Sequence, residues 1–334
     1  MAAYTTIDNP ELYFQVKLYT GTGSSQAVTL DGDENMQPDM IWFKNRTSAQ
    51  SHCLVDAVRG RKGMLPDDDA EEMTFDATKD FTSFDSDGFT VGIPHQVNSL
   101  NYNTGSIVAW CWKESATAGF DIVTFTGNGS NRTISHSLSS AAEFLIVKRR
   151  DDDNDWRVGS SALTNWVKHI NINTTAAESD LAVAFNSTAP TSSVFSVGTS
   201  VSVNADSGTY VAYLFRSIQG FSKIGKFTGN ADADGPFVPT GFKPAWVIIK
   251  NIDSTQNWLV FDSKRPGYNV INDYMHPNTN DAETDEANCI DFLSNGFKIR
   301  STGNDRNGSG NTLVYMCFAE APFVNSNGVP CNAR

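Results

Sequence analysis

Three lysines carry the only charge that recurs at one position along this sequence. Lys44, Lys148 and Lys250 each close an apolar run, 104 and 102 positions apart. A lysine at the end of a buried strand ordinarily packs its stem and lifts its ammonium to the surface. A shared ligand-binding role is the sharper reading. Eight residues beyond each lysine come His52, Trp156 and Trp258. Together with Arg59, Arg265 and Tyr268, of which the last two sit in the loop Asp-Ser-Lys-Arg-Pro-Gly-Tyr at 262–268, Trp156 and Trp258 form the candidate ligand-binding set. Aromatic faces and exposed loops of this kind could stack on sugar rings, although buried core positions are the commoner home for tryptophan.

Other chemistries find less support. Acidic clusters at Asp67-Asp68-Asp69, Asp85 with Asp87, Asp151-Asp152-Asp153 with Asp155, and Asp232 with Asp234 could offer oxygens to a calcium ion. None continues with EF-hand spacing, and solvated Asx turns are the plainer reading. A glycosidase would need paired carboxylates projecting from a sheet face, yet the repeated positions are Phe, Gly, Trp, Lys and Tyr. His52, His95, His136, His169 and His276 follow no metal-ligand spacing, so neither a metal nor a cofactor is expected. The Gly-rich turns at 21–23 and 127–129 lack the lysine and helix of a phosphate loop. Cys53, Cys111, Cys289, Cys317 and Cys331 form no even framework and no CxxC pair. They read as reduced thiols, with Cys331 in the polar tail the one placed to react.

The elements that must position these residues recur three times. A strand runs into a glycine turn at Leu-Tyr-Thr-Gly-Thr-Gly (18–23), Phe-Thr-Gly-Asn-Gly (125–129) and Phe-Thr-Gly-Asn (227–230). The lysine-closed runs follow at 40–44, 144–148 and 246–250. Alternating segments come next at 88–92, 195–198 and 296–299, a period-two pattern that predicts half-buried strands. Continuous apolar strands then close each copy at 105–112, 208–215 and 310–317, with Trp110, Tyr213 and Tyr315 five residues after the opening glycine. Strands such as 107–112 should be central and covered on both faces. No long 3.6-residue apolar period appears, and the best helical candidates are short, at 161–168 and 281–288. The pattern predicts an all-β chain of three tandem antiparallel β-sandwich modules, jelly-roll-like, at 13–118, 119–219 and 220–323, with an arm at 1–12 and a tail at 324–334.

A net charge of −13 disfavours nucleic acid as a partner. No stretch approaches the roughly 18 apolar residues that span a bilayer, so no membrane insertion is expected, and the first residues carry no pattern of an export signal. Connections of a few residues between copies imply modules that dock closely.

The series Phe-Thr-Gly-Asn-Gly, an apolar strand ending in Lys, Asn-Trp, Gly-Phe-x-Val-Gly and Gly-x-Tyr-x-Ala-Tyr-x-Phe resembles a tandem module of marine bacteriophage structural proteins over about residues 13–323. The resemblance implies a lectin-like jelly roll in a non-enzymatic virion component, a tail or tail-fibre protein that meets other virion proteins and the host surface, with cell-surface glycan a possible ligand. Capsid decoration or a structural connector, with the arm added to a neighbour's sheet, is the alternative, and a glycan depolymerase the third reading. Copy one departs from the pattern in having His52 for Trp and an acidic insert at 66–81; copy two lacks the Arg-Gly loop. Fibres are often homo-oligomers, trimers above all, but three modules in one chain could themselves supply a pseudo-threefold unit. Both arrangements stay open at this point.

Overall fold

The apolar blocks become strands because β-branched and aromatic side chains favour a pleated, half-buried surface while the Gly, Asn and Asp between them admit turns. The computed structural model describes residues 4–332 and is built almost wholly of antiparallel β-sheet. In module 1 the opening strand Phe14–Thr20 lies beside the closing strand Ser106–Trp112, followed in the sheet by Met40–Asn45 and Cys53–Asp56. Module 2 repeats the order with Phe120–Thr126, Thr209–Phe215, Phe144–Arg149 and Arg157–Ser160. Module 3 repeats it again with Ser222–Thr228, Thr312–Pro322, Phe242–Asn251 and Trp258–Asp262. First and last strands of a module are neighbours, so the chain leaves each module beside the point where it entered. Short connectors therefore suffice.

A smaller sheet covers one face of each main sheet. It consists of Gln26–Thr29, Gly88–Val91 and Phe81–Asp85 in module 1, Arg132–Ser135 with Val194–Val197 in module 2, and Phe237–Pro239, Gly296–Ile299, Thr284–Leu293 and Ile271–Tyr274 in module 3. Alternation then sorts the side chains. In module 1 Ile41, Phe43, Ile107, Ala109 and Cys111 face the module's own sandwich, while Met40, Trp42, Val108, Trp110 and Trp112 face the other way. Module 2 divides likewise, with Leu145, Val147, Tyr210, Ala212 and Leu214 inward and Phe144, Ile146, Val211, Tyr213 and Phe215 outward. The outward sets of all three modules merge into one shared apolar centre. Its aromatic rings cross the module boundaries: Phe14 to Phe318 at 5.1 Å, Trp112 to Trp246 at 5.4 Å, and Phe215 to Phe318 at 6.0 Å.

The glycine turns are held by a feature the motif reading missed. Asn101, Asn204 and Asn307, 103 positions apart, are each buried inside the turn of their own module. The amide of Asn307 donates to the Asp232 and Ser301 carbonyls, and its oxygen accepts from the Asn230 N–H. Asn204 makes the same set with Ser130, Gly198 and Asn128, and Asn101 with Ser24, Gly92 and Thr22. The closeness of this packing explains the repeated glycine. A Cβ at Gly127 would lie 2.0 Å from the Ala205 carbonyl oxygen, and one at Gly21 2.2 Å from that of Tyr102.

Three expectations need correction. Residues 161–168 form turns leading into Lys168–Asn171, and 281–288 run into the strand Thr284–Leu293. Both segments lack the caps and the sustained apolar face that a helix needs. The α-helices among the described residues are single turns, Val201–Asn204 and Asn304–Asn307. In the third closing strand the register is one residue later than the glycine suggests. Val108, Val211 and Val314 stand opposite Lys44, Lys148 and Lys250, so Met316 takes the place of Trp110 and Tyr213. Tyr315 points to the opposite face, against Phe297 and Phe227, because a shift of one residue turns a side chain over. Asn311 replaces the turn glycine, its carbonyl accepting from the Gly229 N–H as Gly105 and Gly208 accept from Gly21 and Gly127.

The arm, finally, is no free strand over its described residues. Tyr4 donates its hydroxyl to the Gly241 carbonyl, Thr5 donates to that of Gln219, and Asp8 accepts from Ser326 in the tail. Residues 1–3 of the arm and 333–334 of the tail lie outside the described residues.

Replacing Asn307 with Ala leaves three buried backbone groups without a partner and should cost about 3 kcal/mol. Asn131→Ala, at an exposed site, should change stability by less than about 0.5 kcal/mol. Urea titrations of the two variants decide it.

Candidate functional site

The repeated polar residues converge on the seams between modules, and they do so in one rotational sense. Lys44 of module 1 donates to the Asn280 carbonyl of module 3, Lys148 of module 2 to Asp69 of module 1, and Lys250 of module 3 to Thr175 of module 2. All three lysines are fully buried. Their ammonium groups do not reach the surface, and burial lowers each pKa to about 8. Trp156 donates its indole N–H to the Leu65 and Asp68 carbonyls of module 1, and Trp258 to Asn171 of module 2, at 2.8 to 3.0 Å. His52 keeps the pattern despite the substitution. Its Nδ1 accepts from Trp42, so Nε2 carries the proton and faces the His276 carbonyl of module 3 at 3.0 Å. Burial, then the Lys44 charge, keeps the ring neutral by pushing its pKa well below the usual histidine value.

The arginines occupy the same seams. Arg59 contacts Asp56 at 2.5 Å and Glu72 at 2.9 Å, and the Tyr213 hydroxyl of module 2 donates to Asp56 at 2.7 Å. Arg265 contacts Asp262 at 2.6 Å and Glu283 at 2.9 Å, and the Trp110 indole of module 1 donates to Asp262 at 3.0 Å. A second arginine grips each glutamate from the adjoining module, Arg150 on Glu72 and Arg46 on Glu283. Burial works against the Glu72 charge, but the hydrogen bonds of Arg150 and the charge of Arg59 outweigh it and hold the carboxyl at about 2.

The third seam solves the same problem without charge. At the positions of Asp56, Arg59 and Tyr213 stand Ser160, Leu163 and Met316, and Ile252 replaces Arg46 and Arg150. The backbone contact persists, Glu178 N–H to the Ile252 carbonyl at 2.9 Å, matching Glu72 to Arg150 and Glu283 to Arg46. The buried aspartate, its arginine and the hydroxyl or indole donor are thus present together or absent together, while Glu178, at the position of Glu72 and Glu283, accepts from Thr164 instead. That is what the cost of an unpaired buried charge requires.

Of the eight candidate ligand residues, seven therefore lie in module joints. Lys44, Lys148, Lys250, Trp156 and Trp258 are buried, and so are the side chains of Arg59 and Arg265. None has a face left for a ligand. Tyr268 differs, being 80% exposed on the loop that follows Arg265. The missed participants were the acids, Asp56, Asp262, Glu72 and Glu283. An Asp three residues before each of the two arginines was the available signal.

The acidic clusters serve turns and joints. Asp67 accepts from the His52 N–H, Asp87 from Met36, and Asp151 and Asp152 pair with Arg149. No three acidic, His or Cys side chains stand together as metal ligands among the described residues. Cys331 is half-buried, its thiol donating to the Ser294 carbonyl, and burial raises its pKa. The shared centre encloses a gap of about 20 Å³ lined by Trp42, Tyr213 and Trp246 among others, room for no more than about one water.

The family model Domain of unknown function (DUF7483) matches residues 9–322. The chain belongs to this family. No curated protein and no solved structure matches it. The DUF7483 match runs through all three modules as one unit, in keeping with seams that leave each module incomplete alone.

Two measurements follow. Arg265→Leu leaves Asp262 without its buried cation and Glu283 with Arg46 alone, and should cost about 3–5 kcal/mol. Adding Asp262→Ser and Trp110→Met, which installs the apolar solution of the third seam, should recover more than half of that loss in denaturant titrations. With pH, the titrating carboxyls should set a stability maximum near about 4. Burial raises the pKa of Asp67 to about 6, and burial with a hydrogen bond that protonated Glu114 donates to Asp121 raises that of Glu114 to about 7. Both groups contribute stability below pH 4 that fades as pH rises through those values. Glu72 acts oppositely, its contribution complete above pH 4.5 and lost on approach to pH 2. Melting temperatures from pH 2 to 7 should show this maximum, with Glu114→Gln flattening the limb above it and Glu72→Gln the acid limb, while above pH 8 the three buried lysines should make stability rise again.

Proposed function

We propose that this chain is a non-enzymatic bacteriophage virion protein, a tail or tail-fibre component that contacts the host surface, with cell-surface glycan as its ligand. The sequence resemblance supports the virion assignment. The observation that carries the non-catalytic reading is that the polar side chains recurring between modules are committed to joints or, for Asn101, Asn204 and Asn307, to turns, so what repetition preserves is a rigid body. Function then falls to the exposed loops that differ between modules. Val58 and Arg61, Thr164 and Asn165, and Lys264 with Tyr268 occupy three corresponding loops.

A depolymerase finds less support. Half-buried Glu114 and buried Asp121 share a hydrogen bond. That is closer than the roughly 5–9.5 Å separation of glycosidase acids. Capsid decoration draws on a different feature, the closed ring of three like modules, which would let one chain occupy a threefold position without forming a trimer.

Immunogold electron microscopy of purified particles, with antibody against this chain, separates these readings. Label at the distal tail is the expected result. Label on the capsid favours decoration, and particles without label contradict the virion assignment.

A further inference from the structure

The modules correspond position by position through their strand registers, and one place is filled by a guanidinium in module 2 but open in module 1. Arg157, opposite Val147 in the sheet, donates to Asn171 at 2.8 Å and lies 3.0 Å from the His169 ring and 3.5 Å from Asp155, all within its own module. It also donates to the hydroxyl of Ser202, which in turn donates to Asn154. Cys53, opposite Phe43, holds the position of Arg157 in module 1, and Leu259 holds it in module 3. A cysteine is too short to put a cation where Arg157 does. The counterpart of Ser202 nevertheless remains. Ser99, like Ser202, stands two residues before the buried asparagine of its turn. It is fully buried and its hydroxyl has no hydrogen-bond partner. A buried hydroxyl left that way costs stability, so a native protein that keeps one invites a ligand group or a water.

In module 1 a crevice of about 120 Å³ is lined by Gln50, Ser51, Leu65, Gln96, Val97 and Asn98. Its walls are the counterparts of the surroundings of Arg157. Gln50 and Ser51 correspond to Asn154 and Asp155 by their distance from the repeated lysine, and Leu65 corresponds to Asn171 by register. Phe75 packs over Gly63, the counterpart of His169. The side chains of Gln50 and Asn98 and the amide oxygen of Gln96 carry no hydrogen bond among the described residues, while the Gln96 amide nitrogen donates to Thr74.

Charge changes with the same exchange. Ser51 and Leu65 are weaker acceptors than Asp155 and Asn171, but two carboxylates are gained behind the walls. Asp67 replaces Asn173, each accepting from the N–H of His52 or Trp156, and Asp80 replaces Ala184, whose carbonyls accept from Gly92 and Gly198. Asp80 is fully buried and accepts from the N–H groups of His95, Gln96 and Val97. Asp67 accepts from the Ser51 hydroxyl as well. Neither acid forms an ion pair among the described residues, although the charge of Lys44, whose ammonium is held by the Gln50 carbonyl, acts on Asp67. Both acids lie close enough to Cys53 to add to the effect of burial in pushing its thiol pKa up, against the opposing charge of Arg59. Module 1 thus keeps acids around a place from which the cation is missing.

From this geometry we infer that the crevice receives the guanidinium of an arginine side chain presented by a neighbouring protein, in the place that Arg157 fills from within module 2. The inference goes beyond glycan contact and does not depend on it. A guanidinium is all donor, and the amide oxygens of Gln50, Gln96 and Asn98 with the Ser51 hydroxyl oxygen are acceptors around the opening. An anionic group would meet the charges of Asp67 and Asp80 instead. A lysine ammonium is a compact, strongly hydrated charge and gains less from neutral acceptors spread over such a wall. Gln96 and Asn98 are exposed, so the mouth is open and the stem of the arginine enters from solvent.

NMR titration of the isotope-labelled full chain with three capped tripeptides, Gly-X-Gly with arginine, lysine or citrulline at X, tests the site. The arginine peptide should shift the backbone signals of Ser51 and of residues 96–99. Citrulline keeps the shape without the charge and should bind about tenfold more weakly, as the loss of a charge-assisted hydrogen bond implies, and lysine should also bind more weakly than arginine. Gln50→Ala, which leaves the carbonyl that holds Lys44 in place, should weaken the arginine peptide about tenfold at an unchanged melting temperature. Ser99→Ala should act in the same direction, and Gln50→Ala decides should that variant fail to fold. Equal binding of the arginine and citrulline peptides would overturn the guanidinium assignment. Signals of these residues that do not move, or that move equally in wild type and Gln50→Ala, would overturn the crevice, while glycan binding is judged by its own measurement.

Discussion

Each main sheet of this protein is apolar on both faces but has only one small sheet to cover it. That imbalance governs the rest of the structure. Burial of apolar area drives folding at about 25 cal/mol per Å², and a face carrying Trp42, Trp110 and Trp112 cannot stay in water. The three uncovered faces therefore cover one another. One arrangement of three like units does this without leaving an edge, a closed ring of head-to-tail contacts, and the joints run accordingly from module 1 to 3, 3 to 2 and 2 to 1.

Once the sheets are packed this way, the polar groups at their margins must find partners within the ring. Lysine ammoniums and indole N–H groups reach the neighbouring module's loop carbonyls, which would otherwise be buried without a donor. Two seams enclose acid–base networks and the third does not, so the ring tolerates either solution provided each is complete. The seam between modules 1 and 3 has no connecting peptide. It is also the one where Arg46 and Arg265 share Glu283 and where the arm of module 1 lies on module 3.

The all-β class and the strand blocks were legible because alternation and turn glycines leave a direct trace in sequence. Central strands such as Ser106–Trp112 announced burial on both faces by having no polar side. What would cover the second face was not legible, since nothing local distinguishes a strand buried inside one sandwich from a strand buried between modules. The same ambiguity placed Lys44, Trp156 and Arg265 among ligand residues. The carbonyls that Lys44 and Trp156 meet across the seams come from more than 80 positions away, and Arg265 meets acids 3 and 18 positions away. Tyr315 was misplaced for a different reason, because counting from a glycine assumes equal turn lengths and Asn311 ends that turn one residue later. The Asn101, Asn204 and Asn307 series had a constant spacing but hid among ordinary loop residues.

Every one of these seam contacts depends on the ring being a single rigid unit. Differential scanning calorimetry of the full chain addresses that directly. A shared core and interlocked seams predict one transition in which calorimetric and van't Hoff enthalpies agree, although chains of this length commonly unfold in stages. Two or three separable transitions, each with the enthalpy of a single module, would show that the modules fold independently and would contradict the account.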